Sequence, residues 1–275
     1  MCWLVAAVMD IDSLWNFNDP AASEKRFREL PASAEVQTQI ARAQGLQRKF
    51  EEAHRTLDAI TTNSPRVEVR YLLERGRVYN SSGKPDQARP LFLAAWEKAQ
   101  QAKLDFFAVD AAHMIAIVEP PDSALAWNQK AIAFAGQSAD PKAKNWLAAL
   151  YNNTGWTHYG KRDYARALEA FERSQASYAA QKRMNEVRIA RYSIAKTYRA
   201  MGRVPEALAM QQEIQRQQPD DGYVHEEIAE CLLALKRDDE ARASFARAYE
   251  LLSEDSWLAA NEPKRLERLK KLGSP

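Results

Sequence analysis

The chain has 275 residues, of which 46% are hydrophobic and 28% are charged, so it can bury a continuous core and stay soluble. Its formal net charge of +2 argues against a protein that binds nucleic acid non-specifically through charge alone. The two cysteines, Cys2 and Cys231, provide no disulfide framework and no metal-ligand spacing, which favours a reducing, cytoplasmic setting.

Residues 1–33 are predicted to form an N-terminal tail and a capping helix. Residues 1–9, MCWLVAAVM, are far shorter than the roughly 20 apolar residues of a membrane-spanning helix. They also lack the basic residues that begin a secretory signal. Further on, Asp19 can cap a helix that begins at Pro20 and places Phe27 and Leu30 on one face. We expect this helix to cover the open end of the array that follows.

Small residues then recur at a fixed place in successive pairs of predicted helices. In the second helix of each pair the small residues are Ala53, Ala88, Ala124, Ala167, Ala207 and Ala241. Twelve residues earlier, in the first helix, they are Ala41, Gly76, Ala112, Gly155, Ala195 and Ala229. Small side chains let two antiparallel helices approach closely, so the pattern predicts a series of helical hairpins.

The predicted hairpins follow one another without a low-complexity linker or strand-like alternation. One proline, Pro90, lies inside a predicted helix, where we expect a kink. The third hairpin departs most from the pattern, with Pro120 and Pro121 in its turn and Asn128 at an apolar position. The helix pairs are 34–47/50–62, 66–81/85–101, 104–118/121–135, 141–160/163–181, 184–201/204–217 and 222–235/238–252.

This pattern resembles the tetratricopeptide repeat family, whose unit is a helical hairpin of about 34 residues. The resemblance covers residues 34–255 and is clearest in residues 72–92 and 194–219. It implies an all-α, right-handed α-solenoid of about six hairpins with capping helices at both ends, the first helix of each pair lining the concave side. The implied repeats are 34–67, 69–102, 105–138, 148–181, 188–221 and 222–255.

The C-terminal residues 256–275 are predicted to form the second capping helix. Leu266, Leu269 and Leu272 lie at helical spacing in the run EPKRLERLKKL. The basic residues between them could contact an acidic partner, although a solvated face is the more common role of such residues.

Catalytic and cofactor motifs are not found in the sequence. The four histidines show no metal-ligand spacing, and His158 is expected to be a hydrogen-bonded core residue. Glu226, Glu227 and Glu230 cluster on one predicted helix, where three acids usually form a solvated face. We therefore expect no enzyme, no cofactor, no metal site and no membrane partner.

The family resemblance implies a binding face on the first helices. Asn153 occupies a position where peptide-binding members often carry an asparagine that holds the ligand backbone, and an amide can both donate and accept hydrogen bonds. Asn152 and Asn153 could instead bridge neighbouring helices, and Trp156 could be largely buried. The candidate binding residues are Arg77, His113, Asn152, Asn153, Trp156, Tyr159, Tyr192, Lys196 and Arg199.

The function favoured by the sequence is a cytoplasmic protein-interaction scaffold. Its partner would be a protein or peptide, and Lys196 with Arg199 would suit an acidic group in that partner. A regulatory sensor that responds to a peptide or metabolite, and a structural subunit that assembles through its own ends, remain alternatives. The sequence leaves the oligomeric state open.

Overall fold

The computed structural model describes residues 10–274, so the interpretation of residues 1–9 lies outside the described part of the chain. These residues form helices joined by short turns, and no strand occurs between residues 10 and 274. The chain divides into two compact units, residues 1–146 and residues 147–275. Each unit contains three helical hairpins, so the predicted all-α repeat fold with six hairpins is confirmed.

The first unit begins with a short 3-10 helix, followed by a capping helix, three hairpins and a short final helix. In the capping helix, Asp19 accepts a hydrogen bond from the backbone N–H of Ala22, as the sequence predicts, and Phe27 is fully buried. The helices are the 3-10 helix Ile11–Leu14, α1 Pro20–Arg28, α2 Ala34–Leu46, α3 Phe50–Asp58, α4 Pro65–Ser81, α5 Pro85–Gln101, α6 Asp105–Val118, α7 Pro121–Gln137 and α8 Pro141–Asn145.

The second unit consists of three hairpins and two C-terminal helices. The last helix packs against the second helix of the third hairpin and buries Leu269, as expected of a capping helix. The helices are α9 Leu147–Gly160, α10 Tyr164–Ala180, α11 Met184–Ala200, α12 Val204–Gln217, α13 Gly222–Ala234, α14 Asp238–Leu252, α15 Ser256–Asn261 and α16 Pro263–Gly273.

The small residues of the repeat pattern make room for phenylalanine rings. A Cβ atom added at Gly76 would lie 2.4 Å from Cε1 of Phe92, and one added at Gly155 would lie 2.5 Å from Cε1 of Phe171. Both rings are fully buried. Each hairpin of this type is therefore closed by a ring from the second helix that occupies the space a larger residue would need on the first.

One predicted helix is wrong: residues 141–160 do not form a single helix. Helix α8 ends at Asn145, and α9 starts at Leu147 after a turn at Trp146. The indole of Trp146 lies 5.0 Å from the His113 ring and 6.3 Å from the Phe106 ring, both on α6. Trp146 therefore packs in the first unit, whereas α9 pairs with α10 in the second.

Candidate functional site

Two positions on each first helix decide what its predicted binding face presents. We define the inner position as two residues before the small residue of the first helix, and the outer position as one residue after it. The inner residues are Gln39, Glu74, Asp110, Asn153, Ser193 and Glu227, and all except Asn153 are buried. The outer residues are Arg42, Arg77, His113, Trp156, Lys196 and Glu230, and all are half-buried. Within each unit, the inner residues are thus polar and, apart from Asn153, more buried than the outer ones.

In the first unit the inner and outer residues form a row of ion pairs. The Nη1 atom of Arg77 lies 2.6 Å from the Glu74 carboxylate, and its Nη2 atom lies 2.5 Å from both carboxylate oxygens of Asp110. Arg42 approaches Glu74 to 3.7 Å. Burial opposes ionisation of Asp110, but the charges of Arg77 and Arg42 prevail and hold its pKa below the ordinary value. The guanidinium of Arg77, a predicted binding residue, is thus held by two acids of its own chain.

His113, the other predicted binding residue in the first unit, is half-buried against Trp146. Burial lowers the pKa of its imidazole, and the nearby carboxylate of Asp110 opposes that effect only in part. His113 therefore favours its neutral form and offers an aromatic surface rather than a charge.

In the second unit, Trp156 and Tyr159 of α9 belong to an aromatic cluster. The Trp156 ring packs edge-on against Phe171 at 5.1 Å and against Tyr159 at 5.5 Å between centroids. Both side chains remain half-buried, so Trp156 contributes to the hairpin core and to the surface at once. Asn152 and Asn153 lie half-buried on the same helix, about one turn before Trp156 and two turns before Tyr159.

Lys196 and Arg199 of α11 share one buried anion. The carboxylate of Glu227 on α13 is only 2% exposed and binds the Lys196 ammonium, while Arg199 Nε lies 2.9 Å from its Oε2. Burial opposes ionisation of Glu227, yet Lys196 and Arg199 together lower its pKa. Burial and the Glu227 charge raise the pKa of Tyr192 well above its ordinary value, so this phenol stays protonated. The structure therefore places Tyr192, Lys196 and Arg199 around an internal acid.

The expectation that Glu226, Glu227 and Glu230 form a solvated face is wrong. Besides the Glu227 pairs, the Glu226 carboxylate receives two hydrogen bonds from Arg265 of α16 within 2.9 Å, and Arg268 of α16 binds Glu230. Two of the three acids, Glu226 and Glu230, are thus partners of the basic C-terminal run. The acids of α13 are paired because basic side chains of α11 and of α16 both reach them.

An apolar cavity of about 200 Å³ adjoins this cluster in the second unit. Its walls include Ile189, Tyr192, Tyr223 and Val224, and an ion pair between Arg188 and Asp221 at 3.0 Å closes one side. Ile189 is 51% exposed, which is high for a large apolar side chain. Sequence reasoning missed Ile189, although it is an isolated apolar residue on the face that also carries Tyr192.

Within residues 10–274, no group of three or more His, Cys, Asp and Glu side chains could hold a metal ion. Over the same part of the chain, none of the helices combines the length and apolar character needed to cross a membrane.

Comparison with family models matched residues 38–103, 152–221 and 192–256 to the tetratricopeptide repeat. The matched segments cover more than half of the chain and leave out residues 104–151, which contain the atypical third hairpin. Among curated proteins, none matches this sequence significantly.

Several solved structures share the fold. A signal transduction ATPase with a tetratricopeptide repeat sensor from Pyrococcus horikoshii has a TM-score of 0.70 at 16% identity, over 93% of this chain and 42% of that one. The APC/C hetero-tetramer Cut9-Hcn1 has a TM-score of 0.61 at 15% identity, over 94% of this chain and 46% of that one. A Rap protein complexed with Competence and Sporulation Factor has a TM-score of 0.57 at 17% identity, over 90% of this chain and 79% of that one. At these identities the likeness concerns the fold alone, and together with the repeat matches it establishes that the chain belongs to the tetratricopeptide repeat family.

Proposed function

We propose that this protein is a non-enzymatic interaction module that binds an extended segment of a partner protein on the first helices of its second unit. Proteins of similar fold have been solved with Competence and Sporulation Factor and with Hcn1, which supports a binding role for a repeat stack of this kind. The proposed face consists of the exposed parts of α9, α11 and α13.

The observation that carries this proposal is the open apolar cavity beside a charged cluster. The cavity beside Tyr192 holds about 200 Å³, which is enough for one aliphatic or aromatic side chain of a ligand. Its exposed rim residue, Ile189, would lose its contact with water when a ligand binds, and burial of apolar area is the main driving force for association.

The charged cluster defines the polar part of the proposed ligand. Lys196 and Arg199 carry two positive charges against the single negative charge of Glu227, so the cluster keeps one net positive charge. A ligand carboxylate placed next to this cluster would neutralise its remaining positive charge. We therefore propose a segment that combines an apolar side chain with an acidic residue, and whose backbone contacts Asn153.

The matched variants Ile189→Asp and Met184→Asp test the proposal. Both residues lie on α11 and are exposed, but only Ile189 lines the cavity. We expect Ile189→Asp to weaken the binding of a partner identified by co-purification at least tenfold, as measured by calorimetry, whereas Met184→Asp leaves it unchanged. Equal affinities for the two variants would contradict the proposed face.

The variant Lys196→Gln tests the acidic part of the ligand separately. We expect it to weaken binding of the partner segment, but to have little effect on a segment whose acidic residue is replaced by its amide. A Lys264→Glu variant, which changes the charge at an exposed position of α16, serves as the control. If Lys196→Gln affected both segments equally, the carboxylate would not face Lys196.

A further inference from the structure

Residues 10–17, here called the N-terminal segment, lie across the helices of the first unit and are held there by acidic side chains. Asp10 accepts a hydrogen bond of 2.7 Å from the ammonium of Lys142 on α8. Asp12 binds Arg70 of α4 through both carboxylate oxygens, at 2.9 and 2.8 Å. The segment thus crosses successive helices of the stack rather than following one of them.

The aromatic end of the segment is held by α2. The indole N–H of Trp15 donates a hydrogen bond of 2.8 Å to the side-chain carbonyl of Gln39, an inner-position residue. The Trp15 ring stacks on Phe17 at 4.8 Å, and the guanidinium of Arg42, an outer-position residue, lies within 5.3 Å of both rings. The segment therefore uses the inner and outer positions in the way a ligand of this face would.

The contacts beneath the segment are polar. With the segment in place Arg70 is 2% exposed and Gln39 is fully buried, and Arg70 is also held by Glu35 of α2, whose carboxylate lies 2.9 Å from its Nε atom. The segment itself is only partly buried: none of the residues Ile11–Leu14 is buried and Phe17 is 57% exposed, while Ile11, Leu14 and Trp15 pack against a buried cluster that includes Phe27. Fixed polar groups beneath a partly exposed segment are the arrangement of a releasable contact rather than of a core element.

A cavity of about 230 Å³ continues the face beyond Phe17. Leu46, Val78 and Met114 line it together with Phe17. Phe17 is the last residue of the N-terminal segment at this cavity, and the backbone of the preceding residue, Asn16, is tied to the hydroxyl of Ser23 on α1. A partner segment without that tether could place an apolar side chain in the cavity and gain contacts that the N-terminal segment does not make.

We propose that this face of the first unit recognises protein segments with a carboxylate three residues before an aromatic residue, and that residues 10–17 (DIDSLWNF) are its internal competitor. The carboxylate would bind Arg70 in place of Asp12, and the aromatic residue would replace Trp15 on Gln39 and Arg42. This inference rests on the proposed interaction role of the repeats, but it concerns the first unit and residues separate from the Ile189 cavity.

The test is a binding measurement with a fluorescein-labelled peptide DIDSLWNF and the full chain, read by fluorescence anisotropy. Replacing Asp12→Asn in the protein weakens internal docking, so its affinity for the peptide should exceed that of the wild type about tenfold. Adding Arg70→Gln to that variant should lower the affinity again by at least tenfold. Arg89→Gln is the matched control, because Arg89 is an ion-paired arginine of α5 away from this segment.

Two further measurements keep the proposal falsifiable. Excess peptide should accelerate hydrogen exchange of residues 10–17 in the wild type, and a peptide with Asn in place of its second Asp should not. A folded Asp12→Asn variant that fails to bind the peptide, or binding that survives Arg70→Gln, would overturn the proposal. Partner binding that still depends on Ile189 would, in that case, leave the proposed function of the second unit intact.

Discussion

Arg77, at the outer position of α4, binds Asp110, at the inner position of the next first helix, α6, with Arg77 Nη2 lying 2.5 Å from both carboxylate oxygens. The same relationship joins Lys196 to Glu227 in the second unit. In both cases an outer-position base binds the inner-position acid of the next hairpin. These pairs link neighbouring hairpins along the face on which partners are proposed to bind.

The first prediction concerns Asp110, the buried acid that binds Arg77. Replacing Asp110→Ala leaves the half-buried Arg77 with Glu74 as its nearest acid, and loss of one partner of a buried pair is strongly destabilising. We expect a loss of about 3 kcal/mol in the free energy of local unfolding. Native-state hydrogen exchange of amides in α4 and α6 would measure it. Glu169→Ala, which breaks the exposed pair with Arg173 on α10, should leave these amides unchanged.

The second prediction compares two glycines of the same helix. A methyl group at Gly155 would collide with the ring of Phe171, whereas one at Gly160 would meet nothing within 4 Å. Gly155→Ala should destabilise the second unit by about 1–3 kcal/mol through overpacking. Gly160→Ala should be neutral or stabilising by up to about 1 kcal/mol, because alanine favours the helix. Urea unfolding of both variants measures the difference, and equal effects would argue against the packing described for Phe171.

The third prediction concerns the turns that end the first helices α11 and α13. Gly202 has a φ of 81°, and Lys236 occupies the corresponding position after α13 with a φ of 59°. Because a left-handed conformation strains any residue with a Cβ atom, Lys236→Gly should stabilise the protein by up to about 1 kcal/mol. Gly202→Lys should destabilise it by a similar amount. Thermal unfolding of the two variants provides the measurement, and shifts of the same sign would contradict it.

The fourth prediction follows from the lowered pKa of Glu227. Its charged form is stabilised in the folded protein, so its contribution is fully present above the ordinary glutamate pKa of about 4.3. That contribution is lost as the pH falls through the lower folded-state pKa. Between pH 6 and pH 3 the wild type should therefore lose more stability than Glu227→Gln, as judged by urea midpoints. Asp239→Asn, at an exposed position of α14, should keep the wild-type pH dependence.

The fifth prediction concerns the buried thiol of Cys231. Burial and the charge of Glu227 raise its pKa to about 12, and the side chain is 1% exposed. Since the thiolate is the reactive form, Cys231 should resist alkylation by iodoacetamide at pH 8 in the folded protein and react after unfolding. Peptide mapping by mass spectrometry identifies the modified residue. Modification of Cys231 at equal rates before and after unfolding would refute this.

The repeat architecture was predictable because its signal is periodic. The small residues Gly76 and Gly155 recur with large apolar residues at set distances, and steric fit makes that pattern nearly diagnostic of helical hairpins. The break at Trp146 was not predictable in the same way. It depends on where an indole ring packs, which local helix propensity does not report.

The binding face was predictable only in part. The periodicity placed Lys196 and Arg199 on one side of α11, but gave no reason to pair them with Glu227. A usable signal was present, since Lys196 precedes Glu227 by 31 residues and Arg77 precedes Asp110 by 33, close to one repeat. The contact between Arg70 and Asp12 could not be anticipated, because the two residues lie 58 positions apart and Asp12 is outside the repeats.

In each unit the base of such a pair lies on one first helix and the acid lies on the next, so the order of the hairpins along the chain decides which charges meet. The hairpin α4–α5 carries Glu74 toward the preceding Arg42 and Arg77 toward the following Asp110. In a tandem copy of this hairpin, Glu74 would meet the base of the preceding hairpin, and Arg77 would meet the acid of the following one. Duplication would therefore keep every acid and base paired, whereas reversing the order of the three hairpins would place Arg77 opposite Gln39 and Glu74 opposite His113, and the ion pairs between hairpins would be lost.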